Sequence, residues 1–345
     1  MNQQHPKHRS VSATLVDLLT DRALGAYARN GYTFFVGDDR DDQWLRYREL
    51  HDAARGIAER LACVDAVKQW QDSQSKDSSC NSFDASSRPL KDALTPDRAP
   101  PRAVVLCPPG PTYLQAMFGA FYAGVIAVTA FPPRARRKDP RLESVLLDSG
   151  ASIALVDRSG MDRREQILRS SPSLGSLSWV DVESVETPSV SRPCPLVEED
   201  RIALLQYTSG STSAPKGVAL THRNLMANLR MIYDAFEVDP NEDEWSVNWL
   251  PPYHDMGLIG GLLQVMYAGT CSHVLPPASF VQKPIRWLRA IDKYRATVSG
   301  GPNFAFDACV DRTTKAERSS LDLSSWTLAF TGAEPIRRNS LQRFS

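Results

Sequence analysis

The stretch Tyr207-Thr208-Ser209-Gly210-Ser211-Thr212-Ser213-Ala214-Pro215-Lys216-Gly217 follows directly on an apolar run at 202–207. A short β-branched and apolar run of this kind reads as a buried strand, so the quoted stretch is a loop leaving a strand's carboxyl end. Thr208, Ser209, Gly210, Ser211, Thr212 and Ser213 offer hydroxyls and closely approachable backbone N–H groups, and Lys216 adds a point positive charge. That combination suits phosphate oxygens. It is not the P-loop pattern, because Lys216 precedes Gly217 and Val218 follows, where that motif needs Lys and then Ser or Thr after the second glycine. Nor is it the G-x-S-x-G elbow of hydrolases, since Gly210-Ser211-Thr212-Ser213 lacks both the first spacing and the last glycine.

Outward from this loop the same alternation continues. Runs at 103–107, 125–130, 152–156, 247–250, 297–299 and 326–331 read as further strands. Leu225, Leu229, Ile232 and Phe236 recur at helical spacing after Thr221, and Pro284 is a good first-turn residue for a helix running to about Tyr294. Strands alternating with helices predict an α/β fold of layered, largely parallel sheets with flanking helices. Nearer the start, Leu15, Leu18 and Leu19 predict a short helix, 32–36 a strand and 47–61 an amphipathic helix. The expected organisation is an N-terminal part at 1–67, a polar, disordered insertion at 68–100 and an α/β core at 101–345.

Composition narrows the classes. The 345 residues hold 40 Lys and Arg against 40 Asp and Glu, with 42% hydrophobic and 23% charged. Zero formal charge gives no global field for nucleic acid. The cysteines Cys63, Cys80, Cys107, Cys194, Cys271 and Cys309 are widely spaced, which fits neither a disulfide framework nor a zinc site and favours a reducing, cytoplasmic setting. Residues 103–133 carry no charge and are long enough to raise a membrane span. Gln115, Gly119, Gly124 and Thr129 interrupt them, and a buried strand–helix–strand succession is the preferred reading.

Three segments in order now carry a resemblance: Tyr207 to Gly217; Trp249-Leu250-Pro251-Pro252-Tyr253-His254-Asp255-Met256-Gly257-Leu258-Ile259-Gly260; and Thr331-Gly332-Ala333-Glu334-Pro335. Together they resemble the adenylate-forming superfamily. The wording of Gly300-Gly301-Pro302-Asn303-Phe304-Ala305-Phe306 and Ala130-Phe131-Pro132-Pro133-Arg134 is most similar to its fatty acyl-AMP ligase branch. The resemblance implies an ATP-dependent ligase that converts a fatty acid to acyl-AMP and pyrophosphate with Mg²⁺, then passes the acyl group to an acyl carrier protein. In acyl-CoA synthetases the acceptor is coenzyme A instead, and a non-catalytic nucleotide- or acyl-binding protein is the third reading.

By the same resemblance His254 lies beside the carboxylate and adenylate, and Lys216 shares the phosphate work. Gly332, Ala333, Glu334 and Pro335 lie along the adenine. Gly301, Asn303 and Phe304 border the acyl tunnel. Read from the residues alone, His254 stands where a strand and a Pro-Pro turn give way to a helix, and Gly332 to Pro335 form a tight turn. The family continues with a Tyr-Gly-x-x-Glu segment whose acid helps hold Mg²⁺, a ribose-binding Asp and a small C-terminal domain with a catalytic lysine. None is found before Ser345, so no metal ligand is assigned. The sequence is expected to be an N-terminal part, with an open sheet edge and no efficient adenylation alone.

Overall fold

The computed structural model describes residues 12–77, 99–133, 138–184, 196–208, 215–237 and 244–345. Twelve strands run through these residues: β1 (Gly31–Phe34), β2 (Gln43–Arg46), β3 (Arg102–Val105), β4 (Ile126–Thr129), β5 (Ile153–Val156), β6 (Ser178–Asp181), β7 (Ile202–Thr208), β8 (Lys216–Thr221), β9 (Trp245–Asn248), β10 (Cys271–Val274), β11 (Val298–Gly300) and β12 (Leu328–Phe330). The chain divides into two compact units, one of Met1–Glu49, Pro109–Pro111 and Asn224–Ser345, the other of Leu50–Pro108 and Thr112–Arg223.

The second unit holds a six-stranded sheet in the order β6-β5-β3-β4-β7-β8. Its pairings are parallel except β7 with β8. Parallel strands need covering on both faces, and Val104, Ile126, Val128, Ala154 and Val156 lie in one continuous core there. The uncharged stretch resolves as preferred: a twelve-residue helix, Pro111–Tyr122, then β4. That helix is apolar nearly all round because Tyr113, Leu114, Met117, Phe118, Phe121 and Tyr122 are all buried. Among the described residues no helix is long and apolar enough to cross a membrane.

The first unit holds the other sheet, in the order β12-β11-β9-β10-β1-β2, parallel except for β1 with β2. Beneath it Trp287, Leu288, Ile291, Phe280 and Phe306 form a core rich in aromatics. β12 ends the order. Leu328 and Phe330 are partly exposed and Ala329 is exposed.

The expected disorder does not begin at Lys68. A helix, Asp65–Asp77, runs through the first ten residues of that polar segment. Two apolar residues account for it: Val67 is fully buried, and the Trp70 ring lies under the Arg201 guanidinium at 5.2 Å. The remainder of the segment, 78–98, lies outside the described residues, as does Cys80.

Two buried histidines give the fold an acid sensitivity. Burial pushes the imidazole of His222 down to about 4, and Arg201 adds to the effect. Burial does the same to His273, to about 4, against the opposing pull of Asp42. An unfolded chain takes up these protons near pH 6.5, so between about 6.5 and about 4 the unfolded state binds more protons. Stability is therefore full above that window and falls as pH drops through it. Each histidine contributes on the order of 3 kcal/mol at most. Thermal unfolding measured from about pH 7 to about pH 5 should show a falling Tm, and the slope should flatten in a His222→Gln, His273→Asn double variant. An unchanged slope would contradict this account.

Candidate functional site

In the second unit, β7 and β8 form an antiparallel hairpin in which Thr208 and Lys216 are register partners. The residues between them, including Ser209, Gly210, Ser211, Thr212 and Ser213, lie outside the described residues. What is described is the frame. Tyr207 is buried and its hydroxyl donates to Asp148 Oδ2 at 2.6 Å. Burial, reinforced by Asp148, pushes that phenol's pKa upward, so it stays a neutral donor. Gly217 passes so near this ring that a Cβ there would lie 2.9 Å from Tyr207 Cζ. Lys216 itself is exposed. The frame thus presents one ammonium group beside a loop rich in hydroxyls, which can neutralise a polyanion.

The first unit brings the remaining residues together at the carboxyl ends of β9, β11 and β12. Asn248, only 5% exposed, accepts the Leu250 N–H through Oδ1 at 3.0 Å and donates from Nδ2 to Gly257 O at 3.3 Å. The Pro251–Pro252 turn is folded back by the His254 N–H donating to Pro251 O at 3.1 Å. Gly257 must be glycine here, since a Cβ would stand 2.2 Å from the Pro251 carbonyl oxygen. From Met256 to Leu263 the chain is wound as a π-helix, with Asp255 Oδ1 accepting the Met256 N–H at 2.7 Å. His254, half-buried, packs its ring edge-on to Tyr253 at 5.3 Å.

The loop after β11 is joined to the turn after β12 by one side chain. Asn303, fully buried, donates to Pro335 O and accepts from the Arg337 N–H, both at 2.9 Å. Gly301 packs against the Trp249 indole, and its N–H donates to Phe330 O at 3.1 Å. Phe304 lies edge-on to Trp249 at 5.9 Å and is half exposed. Gly332 faces the Met256 methyl, at 3.8 Å from a built Cβ. Ala333 adopts a left-handed φ of 67°, a conformation costing a non-glycine residue about 1 kcal/mol. Glu334 pairs with Arg337 at 3.3 Å.

A cleft open to solvent lies in the same unit, with about 500 Å³ of empty space when the solvent at its mouth is included. Its walls include Phe236, Ser246, Gly260, Val265, Val298 and Phe330. Gly301, Asn303 and Phe304 are not among its wall residues; Gly301 follows β11, and Asn303 and Phe304 open the helix Asn303–Asp311. Gly260 was read only as part of a motif, yet a Cβ there meets nothing within 4 Å, so its missing side chain leaves room. Among the described residues no three His, Cys, Asp or Glu side chains gather to hold a metal.

Comparison with known proteins places the chain. The AMP-binding enzyme family profile matches residues 95–345. A medium-chain-fatty-acid–[acyl-carrier-protein] ligase of Moorena producens is 38% identical over 96% of this chain and 51% of its own length. A ligase of the same description from Teredinibacter turnerae is 35% identical over 64% of this chain and 40% of its own. The crystal structure of a fatty acyl-adenylate ligase from L. pneumophila, in complex with acyl adenylate and pyrophosphate, superposes with a TM-score of 0.79 at 33% identity. It is covered over 52% of its length and covers 97% of this chain. The chain thus spans about half the length of the relatives it matches. With the loops after β9, β11 and β12 at one end of their sheet and these likenesses in agreement, the chain belongs to the AMP-binding, adenylate-forming enzyme family, and its likeness is to the fatty acyl-AMP ligases within it.

Proposed function

We propose that this chain carries the nucleotide- and acyl-binding parts of a fatty acyl-AMP ligase, which activates a fatty acid with ATP for transfer to an acyl carrier protein. The observation that carries the reading is the cavity: it is walled by β9, β11 and β12, and the segments after β9 and β12 are two of the three that carry the family resemblance. An apolar tail held there projects its carboxylate toward the loop ends, where ligands of open parallel sheets collect. The names of two relatives specify medium-chain acids and a carrier-protein acceptor, and we extend both to this chain.

In the reaction, a fatty carboxylate oxygen attacks the α-phosphorus of ATP, forming the mixed anhydride and releasing pyrophosphate. Two anions must approach, so charge neutralisation and alignment are what the protein supplies. Lys216 neutralises phosphate charge, with the hydroxyls and amides of 208–213 around the same oxygens. His254, on a loop anchored by Asn248, stands at the acyl carboxylate. The turn of Gly332, Ala333, Glu334 and Pro335 provides a flat edge for the adenine. Mg²⁺, when bound with the triphosphate, would add to this charge neutralisation.

Two substitutions separate the two subsites. Lys216→Ala should weaken ATP binding roughly tenfold to hundredfold, the worth of one charge-assisted hydrogen bond, measured by calorimetry. Unchanged ATP affinity would remove the loop from the site. Gly260→Leu fills the cavity from a helical position where leucine is the better helix former. It should lower medium-chain fatty acid affinity at least about tenfold while leaving ATP binding and Tm unimpaired. Equal fatty acid affinity would place the acyl chain elsewhere.

A further inference from the structure

The formal charge of the chain is zero, yet one surface of the unit containing Asn224–Ser345 is one-sided. Arg312, which follows the helix Asn303–Asp311, donates through Nη2 to Gln282 O at 3.2 Å, next to Lys283. Arg318 donates through Nη1 to the carbonyls of Val310 and Thr313 at 3.2 and 2.8 Å. Arg289 reaches Glu317 at 3.9 Å. With Lys315 these make five exposed cations on neighbouring elements.

Their compensation is thin. Glu317 faces Arg289 and also feels the charge of Lys283, Asp38 is shared between Lys283 at 3.7 Å and Arg286 at 2.7 Å, and Asp311 is paired with Arg343. Arg312, Lys315 and Arg318 have no ion-pair carboxylate among the described residues. The guanidinium groups of Arg312 and Arg318 are nevertheless held by backbone carbonyls. Like charges fixed side by side cost stability unless a partner's anions meet them. Two apolar side chains stand exposed in the same region. Val281 is 53% and Phe304 50% exposed; Val281 follows Phe280, whose ring lies 6.4 Å from that of Phe304. An apolar centre with a charged rim is the anatomy of a protein-docking surface.

Its position relative to the site also bears on the partner. Asn303 begins the helix whose far end leads into Arg312, and Asn303 holds Pro335. Nine residues at 1.5 Å each put Arg312 about 13 Å along the helix from Asn303, while Phe304 sits at its near end. A body docked at Arg312 is thus too far for its own surface to react, but within reach of a flexible arm.

We propose that this surface docks the acidic face of a carrier protein, with Val281 and Phe304 under its apolar residues and Lys283, Arg312, Lys315 and Arg318 against its carboxylates. This rests on the reading of the site as an acyl-transferring ligase. The test is calorimetric titration of the full chain with an acidic acyl carrier protein bearing its phosphopantetheine arm, alongside ATP and fatty acid titrations. Wild type should bind the carrier, with affinity falling as salt rises from about 50 to about 300 mM. A K283E/R312E/K315E variant should bind at least about tenfold more weakly, while a control reversal at exposed Arg48 and Arg60 stays within about twofold. The docking is overturned if the wild type binds no carrier, if its affinity ignores salt, or if the reversal leaves it unchanged. It is equally overturned if coenzyme A, and not the carrier, loses affinity in the reversal variant. Carrier docking through the patch without ATP or fatty acid binding would uphold the surface and refute the ligase reading. ATP and fatty acid binding with no effect of the reversal would do the opposite.

Discussion

Two buried asparagine amides hold the candidate site in shape. Asn248 closes the end of β9 onto the Pro-Pro turn and the π-helix through its bonds to Leu250 and Gly257. Asn303 closes the loop after β11 onto the turn after β12 through Pro335 and Arg337. Loops normally run over the surface and move. Here a side-chain amide, able to donate and accept at once, substitutes for the backbone ladder that stops where each strand ends. Buried amides of this kind are costly when left unpaired, so their partners are specified tightly, and with them the places of His254 and of Gly332 to Pro335.

The same constraint explains the glycines. Gly257 can pass the Pro251 carbonyl only because it lacks a Cβ, and Gly300 would drive one to 2.1 Å from Phe330 O. Close backbone approach brings β9, β11 and β12 loops to one edge and leaves a cavity on the flank of the sheet. Asn248 and Phe330 belong to both edge and cavity: each lines the cavity, and each ties a strand end to a loop, Asn248 through Leu250 and Gly257 and Phe330 through the Gly301 N–H.

Much of this was legible in the sequence because buried parallel strands are short apolar runs. The strands β3, β4, β5 and β7 fell within two residues of their expected bounds. Four others gave no such signal, each for a physical reason. β2 and β8 are antiparallel additions, and most of their residues are exposed or only partly buried. β6 buries only its last two residues, Val180 and Asp181. β10 is buried throughout, but Ser272 and His273 interrupt its apolar pattern, and His273 is accommodated by a 2.9 Å hydrogen bond with Thr33 that no local reading reveals. The motif segments stood out in the sequence because each is local. Asn248 and the room beside Gly260 were not, because their importance comes from what lies across the fold. The basic surface was hidden in the same way: its charges come from separate elements and cancel in the total.

The central claim is that the ends of β9, β11 and β12 and the cavity beside them form one acyl-adenylate site. Hydrogen exchange of the chain with and without a non-hydrolysable acyl-adenylate analogue tests it most directly. The account predicts added protection at 249–257, 300–306 and 331–335 together with the cavity strands, and no change along β5 and β6. Binding that leaves those three loops unprotected, or protects β5 and β6 instead, would contradict it.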